Sequence, residues 1–147
     1  METTSHQVEK ARESDLTALK ILLSSVNLPT SDLPSPLNNF LVIKEEKKVM
    51  GSIGIEVLGK YALLRSLAVD LNHRSLGLGQ KLYKSAIKLA KNAGIEEIFL
   101  ITNTADQYFE KRGFAEIERE SAPQEIKNTA QFTGVCPSTA TVMRLII

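Results

Sequence analysis

Ile98-Phe99-Leu100-Ile101 is apolar without alternation, and a strand of that kind must be covered on both of its faces. It sits at the end of a three-part unit. Residues 61–69 read as a strand, residues 76–93 as a helix and residues 95–101 as a second strand. Along the helix, Leu78, Leu82, Ala86, Leu89 and Ala93 step by three and four on one face, and Lys81, Lys84, Lys88 and Lys91 do so on another. Gly94 stands at the usual left-handed stop. A strand–helix–strand unit predicts a parallel pair with a right-handed crossover.

The flanking segments predict the rest. Residues 7–12 read as a short strand. Ser14 is the expected N-cap of a helix carrying Leu16, Leu19, Ile21, Leu22 and Leu23, with Asp15 in its first turn, and Pro29 requires it to stop by Leu28. Residues 30–36 read as irregular. Residues 40–44, 49–58 and 61–69 are successive strands, the last two joined by the two turn residues Gly59-Lys60. After the crossover come a helix over 105–112 stopped at Gly113, a strand over 114–120, a helix from Pro123 to about Phe132, and a closing strand over 141–147 that offers an edge for pairing. The order β-α-β-β-β-α-β-α-β-α-β is an α+β fold: a mixed, mostly antiparallel sheet with one parallel crossover and helices on both faces.

Composition narrows the function. At 147 residues the chain suits one domain, expected to span residues 1–147, with one core burying roughly 70% of the unfolded surface. Eighteen basic and 17 acidic side chains give a net charge of +1, without the basic excess of a nucleic-acid binder or a membrane anchor. No apolar run approaches the ~20 residues of a bilayer span. The first residues lack the pattern of a signal peptide, so a cytoplasmic location is expected. The lone Cys136 has no internal disulfide partner, and His6 and His73 are too far apart in sequence to suggest a metal site.

The turn Arg74-Ser75-Leu76-Gly77-Leu78-Gly79 lies where strand passes into helix. A helix N-terminus leaves backbone N–H groups without acceptors and concentrates positive potential, and glycines let an anion approach the bare backbone. The position suits a pyrophosphate; a tight turn with no ligand is the plainer alternative. A dinucleotide fingerprint would need glycine where Leu82 stands, and an acid at the end of the next strand, whereas Glu96 and Glu97 sit at its start. A Walker A loop would need lysine where Gln80 follows Gly79.

Taken in order, Leu67-Ala68-Val69, the Arg74–Gly79 turn, the long helix, Ile98-Phe99-Leu100-Ile101 and Phe109-Glu110-Lys111-Arg112-Gly113-Phe114 resemble the GNAT N-acetyltransferase superfamily. Its pyrophosphate loop reads Q/R-x-x-G-x-G/A, and its next helix ends in a Y-E-K-x-G-F-like run. The resemblance implies acetyl-CoA as cofactor, with backbone groups of Leu67, Ala68 and Val69 on the pantetheine arm. It places Arg74, Ser75, Leu76, Gly77, Leu78, Gly79, Gln80 and Lys81 around the pyrophosphate, and Asn103 near the cofactor arm. It also implies that the two parallel strands splay, with the thioester in the gap. Shorter matches, Leu64-Arg65-Ser66-Leu67-Ala68-Val69 and residues 131–140, resemble the arsenic-resistance N-acetyltransferases, which act on amino-acid-like toxins such as arsinothricin and phosphinothricin.

Acetyl transfer needs a neutral amine, a positioned thioester, donors for the oxyanion and a route for protons. With Gly59-Lys60 as the turn, Glu56 and Arg65 become diagonal neighbours on one sheet face. They either satisfy each other, or form a clamp in which Arg65 binds a substrate anion and Glu56 takes the ammonium proton. Ser66, Ser138 and Thr139 are candidate hydroxyl donors to the substrate. The family's usual tyrosine, a general acid for the thiolate, is replaced by Phe109, which leaves Tyr108 one residue earlier as the alternative. His73 reads as an exposed loop residue. The expected activity is acetylation of a small primary amine, an amino acid or amino-acid-like toxin, by a monomer or homodimer. A CoA-binding sensor without turnover and a protein or peptide N-acetyltransferase remain open alternatives.

Overall fold

The computed structural model describes residues 7–34, 37–135 and 140–147. Its elements run β1 (Glu9–Lys10), α1 (Leu16–Ser25), β2 (Phe40–Glu45), β3 (Lys48–Leu58), β4 (Tyr61–Val69), α2 (Leu78–Asn92), β5 (Glu97–Thr102), α3 (Asp106–Glu110), β6 (Ala115–Ile117), α4 (Gln124–Lys127) and β7 (Thr141–Ile146). The seven strands form one sheet in the order β1-β2-β3-β4-β5-β7-β6. β4 and β5 are parallel, and β2–β3, β5–β7 and β6–β7 are antiparallel, which is the mixed α+β sheet expected. The expected edge strand is not an edge: β7 lies between β5 and β6, because β6 turns back along its free side from Ala115↔Arg144 to Ile117↔Val142.

The chain divides into two compact units. The first comprises Met1–Ile55 and Ser66–Leu89, the second Glu56–Arg65 and Ala90–Ile147. In the first, the core gathers Leu19, Leu22 and Leu23 of α1 with Phe40, Val42, Val49 and Ala68. A 3-10 turn, Glu13–Asp15, leads into α1, and Ser14 is not its cap. The Asp15 carboxylate instead accepts the Arg12 N–H at 2.8 Å and meets Lys44 Nζ at 3.2 Å. α1 stops before Pro29 is reached. Asn27 is left-handed (φ 61°), so the Leu28 N–H returns to the Leu23 carbonyl and the Asn27 N–H to the Ser24 carbonyl. Gly94 and Gly113 end α2 and α3 by the same geometry.

In the second unit, Leu63, Phe99, Ala122 and Ile126 form the core, flanked by Leu58, Tyr61, Ile117 and Phe132. β6 is shorter than expected and passes into a 3-10 turn, Arg119–Ser121. The helix expected to reach Phe132 ends at Lys127. The Thr129 hydroxyl donates to the Ile126 carbonyl at 2.7 Å, competing for a helical acceptor, and a π turn Gln131–Val135 follows.

Two glycines of β3 exist for close approach. A Cβ on Gly54 would lie 2.7 Å from carbons of the Phe40 ring, which is 1% exposed and cannot move aside. Gly54→Ala is expected to lower stability by about 1–3 kcal/mol. Urea unfolding measures this; an unchanged midpoint would contradict the packing described.

Candidate active site

The end of β4 is shaped by a break in its own regularity. Ser66 has φ 59°, a left-handed conformation that costs a non-glycine residue about 1–2 kcal/mol. That value departs from the regular pleat, although β4 continues through Ser66 to Val69. Two hydrogen bonds from β3 hold Ser66 and the segment beyond it. The Ser52 hydroxyl donates to the Ser66 carbonyl at 2.7 Å, and the Asp70 N–H donates to the Met50 carbonyl at 2.8 Å. Gly51 lies between them; a Cβ there would meet Leu82 Cδ1 at 2.9 Å and the Ala68 carbonyl at 3.5 Å. Leu67 and Val69 are half-buried and Ala68 is buried.

Leaving β4, the Asp70 carboxylate accepts the Asn72 N–H and opens a 3-10 turn, Leu71–Leu76. The long helix therefore starts later than expected, at Leu78 rather than Leu76, because Gly77 is left-handed (φ 75°). Its carbonyl accepts the Lys81 N–H, the first bond of the helix. The N–H groups of Leu78, Gly79 and Gln80 thus lie in the first turn without acceptors inside the helix. No acidic residue stands in that turn. Nothing lies within 4 Å of where a Gly77 Cβ would be, so backbone conformation, not packing, demands glycine there. Leu76, Gln80 and Lys81 are exposed, and the backbone of Arg74 and Ser75 lies in the 3-10 turn.

His73 is not the exposed loop residue expected. Its side chain is 19% exposed; Nδ1 lies 2.9 Å from Asp70 and Nε2 3.3 Å from Glu45 of β2. Two carboxylates on the two ring nitrogens favour the imidazolium, in which both nitrogens donate. The Asp70 hydrogen bond foremost, then the Glu45 charge, raises the His73 pKa above 6.5. The same bond foremost lowers that of Asp70, with smaller help from Lys48.

In the second unit, β4 and β5 pair at Tyr61↔Glu97, Ala62↔Ile98 and Leu63↔Phe99, where registered pairing ends, although both strands continue. β5 is bonded along its whole length to β7, from Glu97↔Ile146 to Thr102↔Thr141. Two residues beyond the last registered pair, Arg65 Nη1 donates to Glu56 Oε2 at 2.7 Å. The Arg65 side chain is 1% exposed and that of Glu56 26%, so the pair offers outward a carboxylate held by a buried guanidinium. Asn103 is exposed after β5. On α3, Phe109 is buried against Phe114, while Tyr108 is half-buried with the Arg112 guanidinium 3.7 Å over its ring. Ser138, Thr139 and Cys136 lie outside the described residues. A cleft of about 370 Å³ lined by Tyr61, Glu97, Phe99, Ser121 and Arg144 opens along the registered part of the β4–β5 ladder. No sequence signal announces the left-handed Ser66, since serine rarely adopts that region, or the contact Ser52 makes with it.

The His73 cluster carries a pH dependence of definite sign. A raised histidine pKa contributes stability in full below its unfolded value and loses it as pH rises through the folded one. The stability advantage of the native chain over His73→Asn is therefore expected to be present near pH 6 and to shrink as pH rises past neutrality. It shrinks again in strong acid as Asp70 becomes protonated. Paired denaturation curves across pH measure it; an advantage that grows with alkalinity would contradict the assignment.

The acetyltransferase (GNAT) family profile matches residues 8–114. An uncharacterized N-acetyltransferase of Chlorobaculum tepidum is 33% identical over 91 residues, 61% of this chain and 58% of that protein. An amino-acid acetyltransferase of Aeromonas salmonicida is 24% identical over 95 residues, 63% of this chain and 22% of that protein. The matched region is thus less than two thirds of either relative. N-acetylglutamate synthase from Neisseria gonorrhoeae, complexed with coenzyme A and N-acetyl-glutamate, has a TM-score of 0.82 at 15% identity, covering 99% of this chain and 36% of that one. A Mycobacterium tuberculosis protein in complex with CoA and NLQ has a TM-score of 0.75 at 22% identity, covering 96% and 99%. At these identities the structures show a shared fold. With its profile match spanning β1 to the end of α3, the chain belongs to the acetyltransferase (GNAT) family.

Proposed function

We propose that this chain moves an acetyl group from acetyl-CoA to the primary amine of a small molecule, an amino acid or amino-acid-like toxin, by direct attack. The observation that carries the reading is the left-handed Gly77 feeding a 15-residue helix with no acid in its first turn. The residues fit the cofactor. The N–H groups of Leu78, Gly79 and Gln80 would hold the pyrophosphate, with Arg74, Ser75, Leu76 and Lys81 around it. Backbone groups of Leu67, Ala68 and Val69 would hold the pantetheine arm, and Asn103 would lie near it. The thioester, when bound, supplies the activated acyl group and the thiol leaving group.

Glu56 is the general base. Its half-exposed carboxylate takes the ammonium proton, directly or through one water, while Arg65 holds it in place. The burial of Arg65 makes it a positioning residue for Glu56 in this reading, rather than the substrate-anion clamp. Ser66, Ser138 and Thr139 are the proposed hydroxyl donors to the substrate. Tyr108 is the aromatic able to return a proton to the thiolate, since Phe109 has no hydroxyl. The acceptor class is supported by the short matches to arsenic-resistance N-acetyltransferases at residues 64–69 and 131–140, and by the amino-acid acetyltransferase relative. Phe109 in place of tyrosine favours a second reading, a CoA-binding sensor without turnover.

Thiol release from acetyl-CoA, measured with glutamate, phosphinothricin, arsinothricin, polyamines and a lysine peptide, tests the function. Release is expected with an amino acid or amino-acid-like toxin of the panel. CoA binding without release on any amine would favour the sensor. Glu56→Gln is expected to lower kcat by about 10²–10⁴-fold with CoA affinity unchanged; a smaller loss would remove Glu56 as base. Gly77→Ala, strained at its left-handed backbone position, is expected to weaken CoA binding about tenfold; unchanged calorimetric affinity would contradict the placement of the pyrophosphate.

A further inference from the structure

Ser52 lies in the interior of β3, fully buried and opposite Val42 of β2. A buried hydroxyl costs stability unless it is bonded, and this one spends its proton on the carbonyl of Ser66, 14 residues away. That carbonyl belongs to the residue with φ 59°, the left-handed member of β4. The Ser66 carbonyl and the Leu67 N–H share one trans peptide plane and point in opposite directions. Fixing the carbonyl toward Ser52 therefore fixes the Leu67 N–H away from it. The neighbouring contacts act on the same stretch: Met50 accepts from Asp70, and Gly51 leaves room for the Ala68 carbonyl and Leu82.

We infer that Ser52 is a positioning residue for acetyl transfer. Its hydroxyl holds the Ser66–Leu67 peptide in the orientation that aims the Leu67 N–H at the developing oxyanion. The inference rests on the acetyl-transfer reading above. It assigns a role to a side chain that touches neither substrate nor cofactor and acts only through the backbone of β4. A left-handed serine lacks the freedom of glycine and must be held by its surroundings. Ser52 supplies part of that hold from β3.

The test compares Ser52→Ala, Ser52→Thr, Ser66→Gly and the Ser52→Ala/Ser66→Gly double variant. Amide hydrogen exchange in cofactor-free protein reads the pin directly. Ser52→Ala is expected to speed exchange at Leu67 and Ala68 at least tenfold while the amides of α1 and α2 keep their rates. Glycine at position 66 tolerates the left-handed conformation by itself, so the double variant is expected to exchange less than the two single effects combined. With the amine found active in the panel, Ser52→Ala should lower kcat about 10–100-fold with the KM of the amine unchanged. Ser52→Thr, which keeps the hydroxyl, should recover most of that loss. Faster exchange in Ser52→Ala with kcat unchanged would overturn the positioning role, as would exchange unchanged at residues 67–68. A native protein that neither binds CoA nor releases thiol would overturn the acetyl-transfer reading and this inference with it. An active native protein whose Ser52→Ala variant behaves identically would overturn the role of Ser52 alone.

Discussion

The parallel ladder between β4 and β5 has three registered positions and then ends, and the arrangement of the second unit follows from that brevity. β5 is not destabilised by it, because β7 pairs with all six of its residues on the other side. β4 leaves the regular strand path where Ser66 turns left-handed. A longer ladder would consume the main-chain donors that acyl transfer needs for an oxyanion, and unpaired donors in an ordinary edge strand would be neither aimed nor protected. In the proposed reading, a left-handed residue held from β3 would supply donors without fraying the strand.

Charge is distributed to the same end. The first turn of α2 carries no acid to compete with an anion. The acids near the preceding 3-10 turn, Asp70 and Glu45, are occupied by His73. Removing the proton from His73 would leave two carboxylates facing a neutral ring, close in sequence to the turn proposed to hold the pyrophosphate. In the second unit, the charge with the greatest desolvation cost, the Arg65 guanidinium, is answered by Glu56 at 2.7 Å. Removing Glu56 altogether leaves a buried cation, whereas Gln at that position keeps an oxygen acceptor. Activity and stability effects at this pair therefore have to be separated by the choice of substitution.

Much of this was legible because it is local. Gly59-Lys60 gave the β3–β4 hairpin its two-residue turn, and the diagonal meeting of Glu56 and Arg65 followed from counting back along the two strands. Gly94 and Gly113 marked helix ends because a left-handed residue there is almost always glycine. The misses have physical causes. Ser14 was not a cap, because a 3-10 turn Glu13–Asp15 precedes α1. α4 stopped early where the Thr129 hydroxyl bonded back to Ile126. The place of β7 between β5 and β6 depends on non-local pairing that no periodicity encodes. The contact from Ser52 to Ser66 and the Glu45 carboxylate at His73 are non-local in the same sense. The turn at the start of α2 was readable from its glycines, but what holds its neighbours in place was not.

The central claim is that the α2 turn holds a pyrophosphate, and calorimetric titration with coenzyme A and, separately, with pantetheine tests it most directly. Pantetheine keeps the thiol arm and lacks the diphosphate. Coenzyme A is predicted to bind with a micromolar Kd, and pantetheine about 100-fold more weakly or worse, a difference of at least about 2.7 kcal/mol. Equal affinities, or no heat with coenzyme A, would contradict the account.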